Sequence, residues 1–417
     1  MADATIITAI DVGTTKICTI VGKKTGPSNL QILAYSVVPC DGLKKGNVAD
    51  AAATEAAIRA SISEVERKAG LSIQSVYVGV TGTHVTFENR SDTLNWAGER
   101  GVITNEDLER VPQKVAAESQ ASGRKVIHAI PMSYSLDGEE GIRSPLGMHT
   151  NQLKVETHVV TGASYIVNSL VEAVERAGVR IESLVLEPLA SSLAVLTQEE
   201  REQGVGLIDI GGGTTDVVVF KNGAIHYTSV LPIGGYQFTN DISLTYDTTY
   251  YAAEEAKLKY AHTETNDVHP NDEISLPVVG RSTELKVPLR DIRQLTRERA
   301  QELVRLIKLK LEDAGIEDIS GMQLVITGGA SVLPGLKELI QRTLTLHVRI
   351  GVPDGGGDLP DELKAPAFAT STGILLWAAA QHKPETAKAT NVASNGAKNG
   401  GGGVVSRFAK QVRGLLS

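Results

Sequence analysis

Two glycine-rich turns, each set between strand-like apolar runs, constrain this 417-residue chain more than anything else in it. "GLIDIGGGTTDVVVF" occupies 206–220, and "AIDVGTTKICTIVG" repeats the pattern in shorter form at 9–22. Aligned, they set Ile-Asp-Val-Gly-Thr-Thr at 10–15 against Ile-Asp-Ile-Gly, two further glycines and Thr-Thr at 208–215. The chain therefore reads as a diverged internal duplication with one hairpin in each half. Glycine lets backbone amides approach an anion closely, and threonine adds hydroxyl donors beside it, so each turn is suited to holding phosphate. The aspartate ending each first strand, Asp11 or Asp209, would repel a phosphate but can hold the waters of Mg2+.

The length exceeds one compact core and predicts about two to three domains. Runs rich in Ile, Val and Thr alternate with amphipathic helical patterns, the texture of α/β layers. One half is expected at 1–83 with its continuation at 162–199, the other at 200–235 with its continuation at 315–380. Between 84 and 161 a polar, turn-rich stretch surrounds one helix and one long strand, which reads as an inserted small α+β subdomain. Residues 236–314 form an upper lobe with a long helix from about Leu289 to Ala314. Residues 381–403 have almost no large apolar side chain and read as a flexible linker.

Composition narrows the function classes. A net charge of −8 with 4% aromatic residues argues against a nucleic-acid binder. Cys18 and Cys40 are too few for a disulfide framework or a thiolate metal site, and read as small buried hydrophobes in a reducing cytoplasm. The start "MADATIITAIDVG" has no cationic stretch before an apolar core, and no apolar run approaches the roughly twenty residues that cross a bilayer.

Three further segments carry chemistry. In "EPLASSL", Glu187 ends a strand and could orient a water; "TGGASVLPG" at 327–335 is a strand ending in a glycine turn suited to close approach of an adenosine; "APAFATSTGILLWA" spans 365–378. With "DVGTTK" and "DIGGGTTD" these segments resemble, in order, the phosphate, connecting and adenosine motifs of the actin superfamily of ATP-binding proteins. Within it the chain is most similar to the FtsA family of bacterial cell-division proteins. That family carries a small subdomain inserted after the first sheet and ends in a linker plus an amphipathic membrane helix.

The resemblance implies an actin-like duplicated α/β ATPase fold of two lobes. It implies ATP phosphate contacts from Gly13, Thr14, Thr15 and Lys16 and from Gly211, Gly212, Gly213, Thr214 and Thr215. Asp11 and Asp209 would hold Mg2+ through water. Gly328, Gly329 and Ala330 would border the adenosine, with Glu254 and Lys257 reaching the ribose or base from the upper lobe. No nominee for a base aimed at a substrate hydroxyl stands out beyond Glu187 and Asp209, so slow hydrolysis or a nucleotide switch is expected rather than fast turnover. The function implied is a polymerising adaptor at the division site. It would lie on the cytoplasmic face of the membrane, tether filaments of the tubulin-like protein FtsZ and engage later division proteins. An actin-like pilus-assembly ATP-binding protein and an actin-fold sugar kinase or phosphatase are the alternatives.

Two basic segments complete the reading. "VVSRFAKQVRGLLS" at 404–417 places Val404, Val405, Phe408, Val412, Leu415 and Leu416 on one helical arc, with Arg407, Lys410 and Arg413 outside it. At the end of a flexible linker, that pattern suits an anionic membrane surface. The long upper-lobe helix carries an excess of cations on an acidic protein; the family resemblance points to Arg299, with Arg293 and Arg297 nearby, as the contact for the carboxylates of the FtsZ C-terminal peptide.

Overall fold

The structure, a computed structural model, describes residues 5–26, 30–96, 101–120, 123–266, 268–315, 321–354 and 359–382. The amphipathic segment at 404–417 and the linker beyond His382 lie outside these residues.

The duplication is visible in the sheets. In the first half, strands run in the order Arg180–Leu186, Ser75–Val80, Thr5–Val12, Lys16–Lys24 and Leu30–Pro39. In the second half, the order is His347–Ile350, Gln323–Thr327, Val205–Ile210, Thr215–Lys221 and Ala224–Leu231. Each sheet thus joins an antiparallel three-strand meander to two parallel strands, in the same spatial order. The meander strands are near-continuous apolar runs because both faces are covered, so side chains on either side of the pleat find a core. Each glycine turn sits where the first strand of its hairpin ends, and both first strands pair with a parallel neighbour on their other edge.

Helices cover the sheets and set the site. Helix Ala51–Ala69 is capped by the Asp50 carboxylate, which accepts from the Ala53 N–H at 2.9 Å, and stops at Gly70 in the left-handed region (φ 66°). The long helix Leu289–Asp313 buries Ile292, Thr296, Ala300, Leu303, Ile307 and Leu311, spaced three to four residues apart along one face, against the second sheet and the upper lobe. The last helix, Ala369–Gln381, corrects the sequence-based boundaries, which set 315–380 wholly with the second half. It packs on Thr5–Val12, Lys16–Lys24 and Ser75–Val80 of the first sheet, with Trp377 fully buried there. Its close crossing with helix Glu187–Val195 depends on Gly373, where a Cβ would collide with the carbonyl of Ala190.

The inserted subdomain is a four-stranded sheet, Glu139–Ile142, Arg124–Leu136, Gln152–Ala163 and Thr86–Asn95 in spatial order, covered by helix Asn105–Glu118. A Thr104–Asp107 capping box starts that helix. Its own small core contains Leu108, Val111, Tyr134, Leu153 and Val155. In the upper lobe, helices Gly235–Thr245 and Tyr250–Tyr260 and the hairpin Glu273–Pro277/Glu284–Pro288 share a core of Ile242, Ala253, Leu276, Val287 and Ile292. Both cysteines are buried and unpaired.

Candidate functional site

The two glycine turns face one another across a cleft between the halves. Each is closed by the same local bond: the Gly13 N–H donates to the Lys16 carbonyl at 3.0 Å, and the Gly211 N–H to the Thr214 carbonyl at 2.9 Å. A Cβ at Gly212 would lie 2.7 Å from Thr15 Cγ2, and one at Gly213 would lie 2.5 Å from Thr14 Oγ1. Glycine is therefore required there by close approach of the opposite turn. The N-terminus of helix Gly235–Thr245 supports the longer turn, with Gly235 N–H donating to the Gly211 carbonyl at 2.9 Å and Tyr236 N–H to the Gly212 carbonyl at 2.6 Å. The Thr215 hydroxyl donates to the Ile233 carbonyl at 2.7 Å, so that side chain is used to hold the hairpin.

Beneath the turns lies a set of acids. Asp11 and Asp209 are buried, and each is held by hydroxyls: Ser371 donates to Asp11 Oδ2 at 2.7 Å, while Ser191 and Thr370 donate to Asp209 Oδ2, Thr370 at 3.0 Å. Burial pushes the Asp209 carboxyl up to about 6, against the lowering effect of those two hydroxyls, and raises Asp11 as well. Glu187 is half-buried against Gly79, and burial together with the charges of Asp11, Asp216 and Asp209 raises it well above the usual carboxylate range. Lys16 is the nearest cation among the described residues. Its Nζ donates to the Ala367 carbonyl at 2.7 Å and sits 3.7 Å above the Phe368 ring, and burial lowers its pKa against the pull of Asp11.

Sequence reasoning missed several members of this group. Asp216 ends the stretch "DIGGGTTD" and pairs with Asp209 across the second hairpin; it is buried, raised well above the carboxylate range, and accepts from Thr81 Oγ1. Thr81 follows the strand Ser75–Val80 of the first half, so this bond joins the halves. Ser191, Thr370 and Ser371 lie inside segments already singled out, but their roles depend on a helix crossing that no local pattern encodes. The duplication gave no signal for Asp216, because aligning the Thr-Thr pairs sets it against Lys16, while in the strands its counterpart is Cys18, opposite Asp11.

The adenosine-side nominees also converge. Lys257 Nζ is 2.7 Å from Glu254 Oε2 and 3.3 Å from the Gly235 carbonyl, while a Cβ on Gly235 would touch Ala330 Cβ at 3.4 Å. Thr239 donates to Glu254. The Ala330 N–H donates to the Ile210 carbonyl at 2.9 Å and the Gly328 N–H to the Pro366 carbonyl at 3.2 Å, placing the 328–330 turn beside the end of the strand that carries Asp209; Gly329 is exposed.

The upper-lobe cations lie far from this cluster in the chain and differ in their freedom. Arg299 makes a two-pronged ion pair with Asp241, at 2.6 and 2.8 Å, and also bonds Glu302. It is not a free cation. Arg293 and Arg297 make no ion pair within 4 Å among the described residues. No helix among the described residues is long and apolar enough to cross a membrane.

Comparison with known proteins agrees with this architecture. A family model described as "Cell division protein FtsA" matches residues 206–373, and one described as "SHS2 domain inserted in FTSA" matches 82–161. The cell division protein FtsA of Pseudomonas aeruginosa is 34% identical over 372 residues, covering 89% of each chain. That of Neisseria meningitidis serogroup B is 32% identical over 407 residues, covering 97% of each, and that of Escherichia coli strain K12 is 30% identical over 387 residues, covering 91% of this chain and 92% of its own. Among solved structures, the PilM–PilN type IV pilus biogenesis complex is similar with a TM-score of 0.64 at 20% identity, covering 89% of this chain and 98% of that one. MreB5 of Spiroplasma citri bound to ADP is similar with a TM-score of 0.53 at 14% identity, covering 89% and 95%. These two share the fold. With sequence similarity running through both the duplicated core and the inserted subdomain, the chain belongs to the FtsA family of actin-like cell-division proteins.

Proposed function

We propose that this protein binds ATP with Mg2+ between its two glycine turns, polymerises on the inner face of the cell membrane, and tethers FtsZ filaments there during division. The observation that carries the nucleotide reading is the opposed pair of turns, with Thr14 and Thr15 of the first so close to Gly213 and Gly212 of the second that no Cβ fits there, above carboxylates that outnumber the neighbouring Lys16. Backbone amides of Gly212 and Gly213 and the hydroxyls of Thr14, Thr15 and Thr214 are the phosphate donors, with the Gly13 and Gly211 amides closing their turns, Thr215 holding the hairpin and Lys16 adding charge. Asp11 and Asp209 suit a hydrated cation, since each offers a carboxylate already oriented by hydroxyl donors. Bound Mg2+ would supply positive charge at the phosphates and draw both acids toward their ionised forms.

Glu254, Lys257 and the 328–330 turn form the adenosine side. Glu187 and Asp209 are the residues to orient a water. Burial and the neighbouring acids hold Glu187 well above the usual carboxylate range. For the FtsZ peptide, Arg293 and Arg297, one turn apart on the same side of the helix, are free of internal ion pairs among the described residues, while Arg299 is engaged by Asp241 on another face. Polymerisation would gather many copies of the 404–417 segment, so weak single attachments add to a firm one.

The test is recruitment of fluorescent FtsZ to a supported bilayer containing anionic lipid, with ATP present. The parent protein is expected to coat the bilayer and bring FtsZ with it, and Phe408→Glu to do neither while keeping its ATP affinity. A coated bilayer that leaves FtsZ in solution would remove the FtsZ assignment. A protein that never coats the bilayer would remove the tether.

A further inference from the structure

Lys16 stands among acids without pairing to any of them. It begins the second strand of the first hairpin, half-buried, and the charges of Asp11 and Asp209 both act on it. An ammonium beside buried carboxylates gains most by falling onto one, because opposite charges attract strongly away from water. Lys16 nevertheless makes no ion pair within 4 Å among the described residues. Its Nζ rests on two uncharged partners, the Ala367 carbonyl at 2.7 Å and the face of Phe368, 3.7 Å from the ring centre. One oxygen of each acid is meanwhile taken by the hydroxyls of Ser371, Ser191 and Thr370.

Phe368 is itself held firmly. Its N–H donates to the Ala365 carbonyl at 3.0 Å, closing the short helical turn Pro366–Phe368, and its side chain packs against the buried core of the first half. The same turn meets the adenosine side. The Pro366 carbonyl accepts from the Gly328 N–H at 3.2 Å, and a Cβ on Gly329 would touch Ala367 Cβ at 3.7 Å. Three consecutive residues therefore set the position of the Lys16 ammonium relative to the 328–330 turn. A ring face attracts a cation without neutralising it. Ordering a lysine side chain in advance also removes an entropy cost that a ligand would otherwise meet on binding.

We infer that Phe368 is a positioning residue for Lys16: its ring holds the ammonium clear of Asp11 and Asp209, leaving the lysine for the phosphates of the nucleotide and the two acids for the hydrated metal. This role rests on the nucleotide reading given above; the ring contact does not.

A series that keeps the shape of the ring while draining its electrons separates this role from packing. Mono-, di- and trifluorophenylalanine at position 368 weaken the attraction between ring and cation stepwise. Calorimetry on the full-length protein with Mg2+–ATP is expected to show affinity falling along the series, to roughly tenfold below the parent at the trifluorinated ring, while affinity for adenosine holds. Phe368→Leu should lose at least as much. In a Lys16→Met background the trifluorinated ring should cost nothing, since no cation is there to hold. ATP affinity that stays level along the series would overturn the inference, and so would a loss shared by adenosine or persisting in Lys16→Met, either of which would make Phe368 a packing residue only. A rise in affinity would overturn it as well, because the ring would then be withholding the lysine. The contact has its own signature in the nucleotide-free protein. Ring current from Phe368 should set the Lys16 Hε resonance, identified by its loss in Lys16→Met, upfield of the other lysines, and an unshifted resonance would overturn the inference. A parent with the upfield resonance that binds no ATP would overturn the nucleotide reading and the positioning role together, leaving the ring contact alone.

Discussion

The two hairpins differ most tellingly at one pair of matched positions. Asp11 faces Cys18, whereas Asp209 faces Asp216, so the second half brings an extra carboxyl to the cleft and the first half a thiol whose pKa burial pushes up to about 12. The acids are therefore crowded and poorly solvated, and the cost has a definite sign. The Asp209 carboxyl sits at about 6 in the folded protein against an ordinary 3.8, so the folded state binds more protons between those values. Stability contributed by this group falls as pH rises through that window, and the full penalty, on the order of 3 kcal/mol, is present above it. Asp209→Asn should raise the melting temperature at pH 7.5 by a few degrees without nucleotide or Mg2+, with the gain vanishing near pH 4. The same variant should bind Mg2+–ATP more weakly. A melting temperature unaltered across pH 4–8 would show that Asp209 is not strained by burial. At the turn itself, Gly212→Val would drive its side chain into Thr15, and calorimetry should show ATP affinity lowered by at least about tenfold.

Elements were more legible than their partners. Apolar patterning marked both hairpins and the long helix Leu289–Asp313, because alternation and three-to-four spacing are local properties. The segment at 365–378 stood out as a motif, but helix Ala369–Gln381 within it is apolar nearly all round, and such a pattern does not say which sheet it covers. Hence Ser371 and Thr370, carried on that helix, could not be assigned to Asp11 and Asp209 from sequence. Arg299 shows the same limit. The helix and its charge were legible, whereas its partner Asp241 lies 58 residues away. Because Arg299 and Asp241 are both largely shielded from solvent, Arg299→Ala should cost about 1–3 kcal/mol in denaturant unfolding, and adding Asp241→Asn should recover part of that. An Arg299→Ala protein as stable as the parent would return Arg299 to the set of free partner-binding cations.

Across the molecule, the halves are held together at the cleft rather than merely hinged. The threonines of the first turn touch the glycines of the second, and Thr81 of the first half donates to Asp216 of the second. Thr81→Val removes that donor and leaves a buried acid less satisfied, so the closed arrangement loses on the order of 1 kcal/mol or more. Nucleotide release measured by stopped-flow fluorescence should be several-fold faster in the variant, and an unchanged rate would mean that Thr81 has no part in closure. The position of the last helix carries a different consequence, in time rather than space. Since Trp377 completes the core under strands that begin at Thr5, the first half cannot finish folding until helix Ala369–Gln381 has been made. At bacterial elongation rates of roughly 5–20 residues per second, its opening hairpin waits about 20–70 seconds for the helix that seals it. The basic, apolar segment at 404–417 is translated only after that helix, so it follows the element that seals the first half.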